Sequence, residues 1–146
     1  MLYSYFSPHA KSWSAQVYPG TPTFSLQPIL IALNEGAKRA FESRIVPDGT
    51  LIYNADLVNC PPERRDILAA GIPANTLAEQ CGSAKAVNVV ILAFFTRVSC
   101  LIPAAAMKKT VERELNAAKP LFTELNERAF AAGIDAAEKF LRGCCA

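Results

Sequence analysis

Between Pro28 and Leu33 the chain reads Pro28-Ile29-Leu30-Ile31-Ala32-Leu33, with no polar side chain. A short unbroken apolar run of this kind predicts a strand buried on both faces of a parallel sheet. Asn34 and Glu35 end it, and Ala37, Ala40, Phe41 and Ile45 then recur at helical intervals. That spacing assigns the intervening Lys38, Arg39, Glu42 and Arg44 to the solvent face of a helix. Pro47-Asp48-Gly49 predicts a turn, and Thr50-Leu51-Ile52-Tyr53 supplies a second strand rich in β-branched and aromatic residues. A strand–helix–strand unit of this length closes as a right-handed crossover, with parallel strands and the helix on one face of the sheet. The pattern therefore predicts an α/β fold.

Downstream, Cys60-Pro61-Pro62 breaks the chain and leads to the charged Glu63-Arg64-Arg65-Asp66. That cluster is read as the solvated start of a short helix or loop in preference to a partner-docking site, because mixed charges usually face water. Ile72-Pro73-Ala74 predicts a very short strand, with Asn75 capping a helix Thr76 to Gln80 that ends near Gly82. Val87 to Phe95 is ambiguous by periodicity, and its β-branched density favours a buried strand. Pro103 suits the first position of a helix whose apolar stripe is Ala104, Met107, Val111 and Leu115. A last helix is expected to begin at Pro120, carry Leu121, Leu125 and Ala129 on one line beside Phe122 and Phe130, and stop at Gly133. Met1 to Leu26, rich in Ser, Pro and aromatic residues, reads as an irregular segment broken by Pro19-Gly20-Thr21-Pro22.

Composition narrows the function classes. A chain of 146 residues, 51% hydrophobic and 19% charged, is expected to be one domain with a real core. A net charge of +2 with acids and bases interspersed gives no nucleic-acid footprint and no polybasic membrane patch. The longest apolar run, Val89 to Phe95, falls far short of the roughly 20 residues that span a bilayer. With no basic, apolar leader at its start, the chain reads as cytoplasmic. Cys60, Cys81, Cys100, Cys144 and Cys145 contain no Cys-x-x-Cys, so neither an iron–sulfur nor a zinc pattern is present and no metal site is expected. Cys144-Cys145 reads as a frayed tail with free thiols in preference to a soft-metal chelate or a vicinal disulfide. His9 is the only histidine and reads as solvated. Gly20, Gly36, Gly49 and Gly71 are too isolated to cradle a phosphate with backbone amides.

The strand patterns also carry a family likeness. Ile29-Leu30-Ile31-Ala32-Leu33-Asn34-Glu35, followed by Val46-Pro47-Asp48-Gly49-Thr50-Leu51-Ile52-Tyr53-Asn54, resembles the gamma subunit or domain of 2-oxoacid:ferredoxin oxidoreductases. Ile72-Pro73-Ala74, Ala78-Glu79, Gly82, Asn88-Val89-Val90-Ile91-Leu92 and Asn126-Glu127-Arg128-Ala129-Phe130-Ala131-Ala132-Gly133 follow in the family's order. The resemblance implies a Rossmann-like, three-layer α/β fold with a parallel sheet and covering helices. It divides the chain into an irregular segment 1–26, a gamma-like domain 27–133 and a tail 134–146. It implies a helix over Val87 to Phe95, within which Ala93 stands where the family usually has glycine and is expected to loosen helix packing. Relative to the family the chain reads as N-terminally truncated, without the first strand and its Gly-Gly-Gln-Gly-type loop. Lys11 and Ser12-Trp13 overlay only weakly on a Gly-Pro-x-x-Arg-Gly-Gly-like segment.

In an open parallel sheet, ligands bind beyond the carboxyl ends of the strands. Asn34, Asn54 and Asn75 stand there, and each carboxamide can both donate and accept. Together with Asn88, which matches a family asparagine inside an apolar run, they are the candidate cofactor-binding residues. The competing reading makes Asn34 and Asn75 helix caps and Asn54 a turn residue. A buried Asn88 must find hydrogen-bond partners, and so either braces a turn or faces an interface. No nucleophile–base pair, carboxylate dyad or metal cluster is evident, so no catalytic residue and no cofactor are assigned to this chain. The resemblance implies a complex that oxidatively decarboxylates a 2-oxoacid of the 2-oxoglutarate or pyruvate class onto coenzyme A and passes electrons to ferredoxin. Its alpha and beta subunits would carry thiamine diphosphate and the iron–sulfur clusters. The alternatives are a free-standing Rossmann-like module for a small ligand and an inactive structural remnant.

Overall fold

The computed structural model describes residues 27–116 and 122–144. The segment 1–26 with His9 and the Lys11 overlay, the expected helix start at Pro120, and Cys145 lie outside the described residues. Three strands, β1 (Gln27–Ala32), β2 (Ile45–Asn54) and β3 (Leu68–Ile72), form a parallel sheet in the order β1-β2-β3. Helix α1 (Glu35–Phe41) and a 3-10 turn (Glu42–Arg44) connect β1 to β2. After β3 come α2 (Ala74–Gln80), α3 (Val87–Ser99), α4 (Ala104–Val111) with a π-helical extension (Glu112–Asn116), and α5 (Thr123–Cys144).

The two faces of the sheet follow from alternation along β2. Leu51 packs with Ala32, Ile45 and Ala37 on the α1 side. Ile52 packs with Ala70, Ile72, Val90, Phe94 and Phe130 beneath α2, α3 and α5. Helix, sheet and helices make the expected three-layer α/β fold. Burying each large side chain of these clusters contributes about 1.5–3 kcal/mol.

Several local expectations are corrected. β1 is not buried on both faces: Ile31 is 38% and Leu33 43% exposed, because β1 is the edge strand among the described residues. Pro47-Asp48-Gly49 does not turn the chain. It lies inside β2 as a bulge, where β1 advances from Gln27 to Ile29 while its partner advances from Ile45 to Thr50. Asp48 takes a left-handed conformation with φ of 62°, which aspartate tolerates better than most residues, and its N–H donates to the Asp66 carbonyl at 2.8 Å.

β3 starts earlier than expected, at Leu68. Ile72 is its last residue and Pro73, which has no N–H to give a ladder, occupies the cap position of α2. The Glu63-Arg64-Arg65-Asp66 cluster lies in a loop, one of the two forms expected for it.

Val87 to Phe95 is helical, as the resemblance implied. Gly133 does not end the last helix: α5 continues to Cys144, and the residues read as a tail form its second half, with Ala137 fully buried. Nor does Ala93 loosen the packing, because Gly133 provides the room opposite it. A Cβ on Gly133 would stand 2.7 Å from the Ala93 Cβ.

Candidate functional site

The carboxyl ends of β2 and β3 are joined by a small polar network. Asn54 ends β2 and is almost wholly buried. Its Oδ1 accepts from the N–H of Asp56 at 3.2 Å and of Ala74 at 3.3 Å, and its Nδ2 donates to Asn75 Oδ1 at 2.7 Å. Both ends of this carboxamide are thus used within the protein, as a buried amide requires. Asp56, in the turn that follows, accepts from the Thr76 N–H at 2.9 Å and from the Thr76 hydroxyl at 3.0 Å.

Helix α2 begins Pro73-Ala74 and has no capping side chain of its own, so Asp56 caps it from the neighbouring strand end. A carboxylate in the first turn satisfies an orphan N–H and complements the helix dipole.

The four candidate asparagines therefore differ in role. Asn34 caps α1 by accepting from the Ala37 N–H at 2.8 Å. Asn54 is both a turn residue and the tie between strand and helix. Asn75 is not a cap; it lies inside the first turn of α2 and receives Asn54. Its own NH2 group has no partner among the described residues. Asn88 is exposed in the first turn of α3, not buried in the apolar run, and is separated from the others by α2 and the turn at Gly82. Asn34→Ala and Asp56→Ala are each expected to cost about 0.5–2 kcal/mol, with Asn34→Asp nearly neutral, because each Ala variant removes a helix cap. Thermal melts check this, and an Asn34→Ala melt equal to wild type would remove Asn34 from the capping role.

A second polar cluster was not legible in the sequence. Lys38 and Glu42 face inward, not to solvent, and pair at 3.4 Å with side chains only 1% and 8% exposed. Lys38 Nζ donates to the Pro61 carbonyl at 2.9 Å. Glu42 Oε1 accepts from the N–H groups of Glu63 at 2.7 Å and Arg64 at 3.1 Å. The Arg64 guanidinium donates to the carbonyl of Ile45 and pairs with Asp66, whose carboxyl it holds below the usual carboxylate range. Glu35 pairs with Arg39 at 3.1 Å and accepts from the Cys60 N–H at 3.4 Å. α1 thus holds the loop that returns from β2 to β3.

No buried polar side-chain atom among the described residues lacks a hydrogen bond, and no three His, Cys, Asp or Glu side chains among them are grouped to hold a metal ion. No helix among the described residues is long and apolar enough to cross a membrane.

Residues 11–136 match the family described as pyruvate ferredoxin/flavodoxin oxidoreductase. The chain belongs to that family. The matched span contains all four candidate asparagines and runs into α5, three residues past Gly133.

Among solved structures, the gamma subunit of a keto/oxoacid ferredoxin oxidoreductase from Geobacter sulfurreducens PCA superposes with a TM-score of 0.70 at 24% identity. The superposition covers 77% of this chain and 64% of that one. A 2-oxoglutarate:ferredoxin oxidoreductase from Magnetococcus marinus, solved with 2-oxoglutarate, coenzyme A and succinyl-CoA bound, gives 0.67 at 19% identity over 77% of this chain and 20% of that one. This member of the pyruvate ferredoxin/flavodoxin oxidoreductase family thus has the gamma-subunit fold and spans less than two thirds of either of these chains. No curated protein matches it.

Proposed function

We propose that this chain is a gamma-type, non-catalytic part of a complex that oxidatively decarboxylates a 2-oxoacid of the 2-oxoglutarate or pyruvate class. In the balanced reaction, 2-oxoacid and coenzyme A give acyl-CoA, carbon dioxide, a proton and two electrons, which pass to ferredoxin. The observation that carries this reading is the family match over residues 11–136.

The polar groups at the strand ends are consistent with a supporting part. Asn34, Asn54 and Asp56 are used as caps and ties, and none stands free beside a nucleophile.

The described cysteines do not fit an iron–sulfur cluster. Cys60, Cys81, Cys100 and Cys144 lie on separate elements, and Cys81 is buried. Nor does the start of α2 suit a pyrophosphate, since the Asp56 carboxylate already occupies the place an anion would take. Thiamine diphosphate and the clusters are therefore assigned to alpha and beta partner subunits. This chain's contribution to a coenzyme A environment would come from the unpartnered NH2 of Asn75 or the exposed Asn88, each a donor suited to a carbonyl or phosphate oxygen.

The exposed apolar side chains Ile31 and Leu33 at β1, and Leu101 and Ile102 after α3, supply surface for partner subunits. Omitting this chain from the reconstituted complex should abolish or sharply lower 2-oxoacid-dependent, coenzyme A-dependent ferredoxin reduction. Unchanged turnover without it would overturn the reading.

A further inference from the structure

We infer that Cys60–Asp66 is a charge-latched strap, held chiefly by the carboxylate of Glu42 in the 3-10 turn after α1 and able to open while the sheet and its helices stay folded. The inference does not depend on the function proposed above.

The attachments of this segment are almost all polar. Glu42 Oε1 receives the N–H groups of Glu63 and Arg64, and Lys38, paired with Glu42, donates to the Pro61 carbonyl. Glu35 receives the Cys60 N–H, and the Arg39 guanidinium reaches Cys60 Sγ at 3.6 Å. Arg64 returns bonds to the carbonyls of Glu42 and Ile45. Backbone pairing to the sheet enters only at the end of the strap, where Asp48 donates to the Asp66 carbonyl.

Apolar anchorage is slight. Pro61 is exposed and Pro62 half-buried, whereas the nearest buried apolar side chains, Val58 before and Ala70 after, and the half-buried Ile67 that packs on the α1-side cluster, lie outside the segment. Opening therefore uncovers little core. It also returns the Lys38 and Glu42 charges to water, and the recovered hydration offsets much of the lost pairing, since burying such a pair costs desolvation comparable to its attraction. A segment with few apolar contacts and side-chain-held amides belongs to the low-stability end of a fold.

Hydrogen exchange on the full chain at rising sub-denaturing urea tests this. The amides of Glu63 and Arg64 should exchange on the order of 100-fold faster than those of Leu51 and Ile52 in the central strand, with little urea dependence, as local opening requires. Glu42→Gln should raise the strap rates at least about tenfold further while leaving the β2 amides the slower set. Should that variant fail to fold, the wild-type rates and their urea dependence decide alone. Exchange of strap and β2 amides together, with one rate and one urea slope, would overturn the inference; so would a folded Glu42→Gln chain with unchanged strap rates.

Discussion

Gly133→Ala should cost about 3 kcal/mol, the upper end of the usual range for overpacking, although it adds a single methyl group to a helix interior. Alanine is the better helix former by about 1 kcal/mol, so a helical residue free of neighbours would gain from the change. Gly133 is not free. Its Cβ would stand 2.3 Å from the carbonyl oxygen of Val90 and 2.7 Å from the Cβ of Ala93. Carbon–carbon contacts are optimal near about 3.5–4.0 Å, and a backbone carbonyl in the middle of a helix cannot rotate aside. α3 and α5 must therefore move apart, which loosens the packing of Val90, Phe94, Phe130 and Ala137 that closes the core.

A melting temperature lower by roughly 10 °C is expected for a domain of this size. Gly143→Ala serves as the control: it lies in the same helix with nothing within 4 Å of its Cβ and should melt at or slightly above wild type. Equal melts for the two variants would mean that α3 and α5 do not meet at Gly133.

Gly49→Ala is the second large effect. Gly49 sits in the β2 bulge, and its Cβ would meet Ile45 Cγ2 at 2.5 Å, the Val46 carbonyl oxygen at 2.8 Å and the Pro28 carbonyl oxygen at 2.9 Å. Two of these obstacles are backbone, and one belongs to the neighbouring strand, so relief requires β1 and β2 to separate where their register shifts. A loss of about 2–3 kcal/mol is expected, in the range of overpacked cores. Urea titration monitored by circular dichroism gives the value, and a midpoint unchanged from wild type would refute the close approach. The bulge makes the edge strand more vulnerable than the interior. Exchange of β1 amides should therefore rise more than that of α5 amides in this variant.

The sequence made the strand–helix–strand unit legible because its apolar runs are unbroken and its helix has a clear period. It did not make the bulge legible. Pro47-Asp48-Gly49 has the composition of a turn, and only the pairing of Ile45 with Gln27 shows that the strand has already begun. Lys38 and Glu42 were hidden for a related reason. Periodicity places them away from the sheet, which ordinarily means water, but the loop from β2 folds back over that side and buries them.

Gly133 misled as a helix terminator because glycine at a contact and glycine at an end are indistinguishable without the partner helix. Of the candidate site, the strand-end positions of Asn34, Asn54 and Asn75 followed from the strand readings. The capping carboxylate of Asp56 did not, although a helix opening with Pro73-Ala74 and no cap of its own was a signal that one must be borrowed. The exposure of Asn88 went unseen because its apolar neighbours suggested a buried run, whereas one turn of α3 faces outward at that residue.

The central claim is that this chain acts within a larger assembly. Light scattering on the purified chain, alone and after coexpression with alpha and beta subunits, tests it most directly. The exposed Ile31 on edge strand β1 and Leu33 just after it, and a net charge of only +2, leave the lone chain poorly protected against association. The account predicts self-association or precipitation alone and a single, defined hetero-oligomer with the partners. A stable, monodisperse monomer at high concentration that gains nothing from those partners would contradict it.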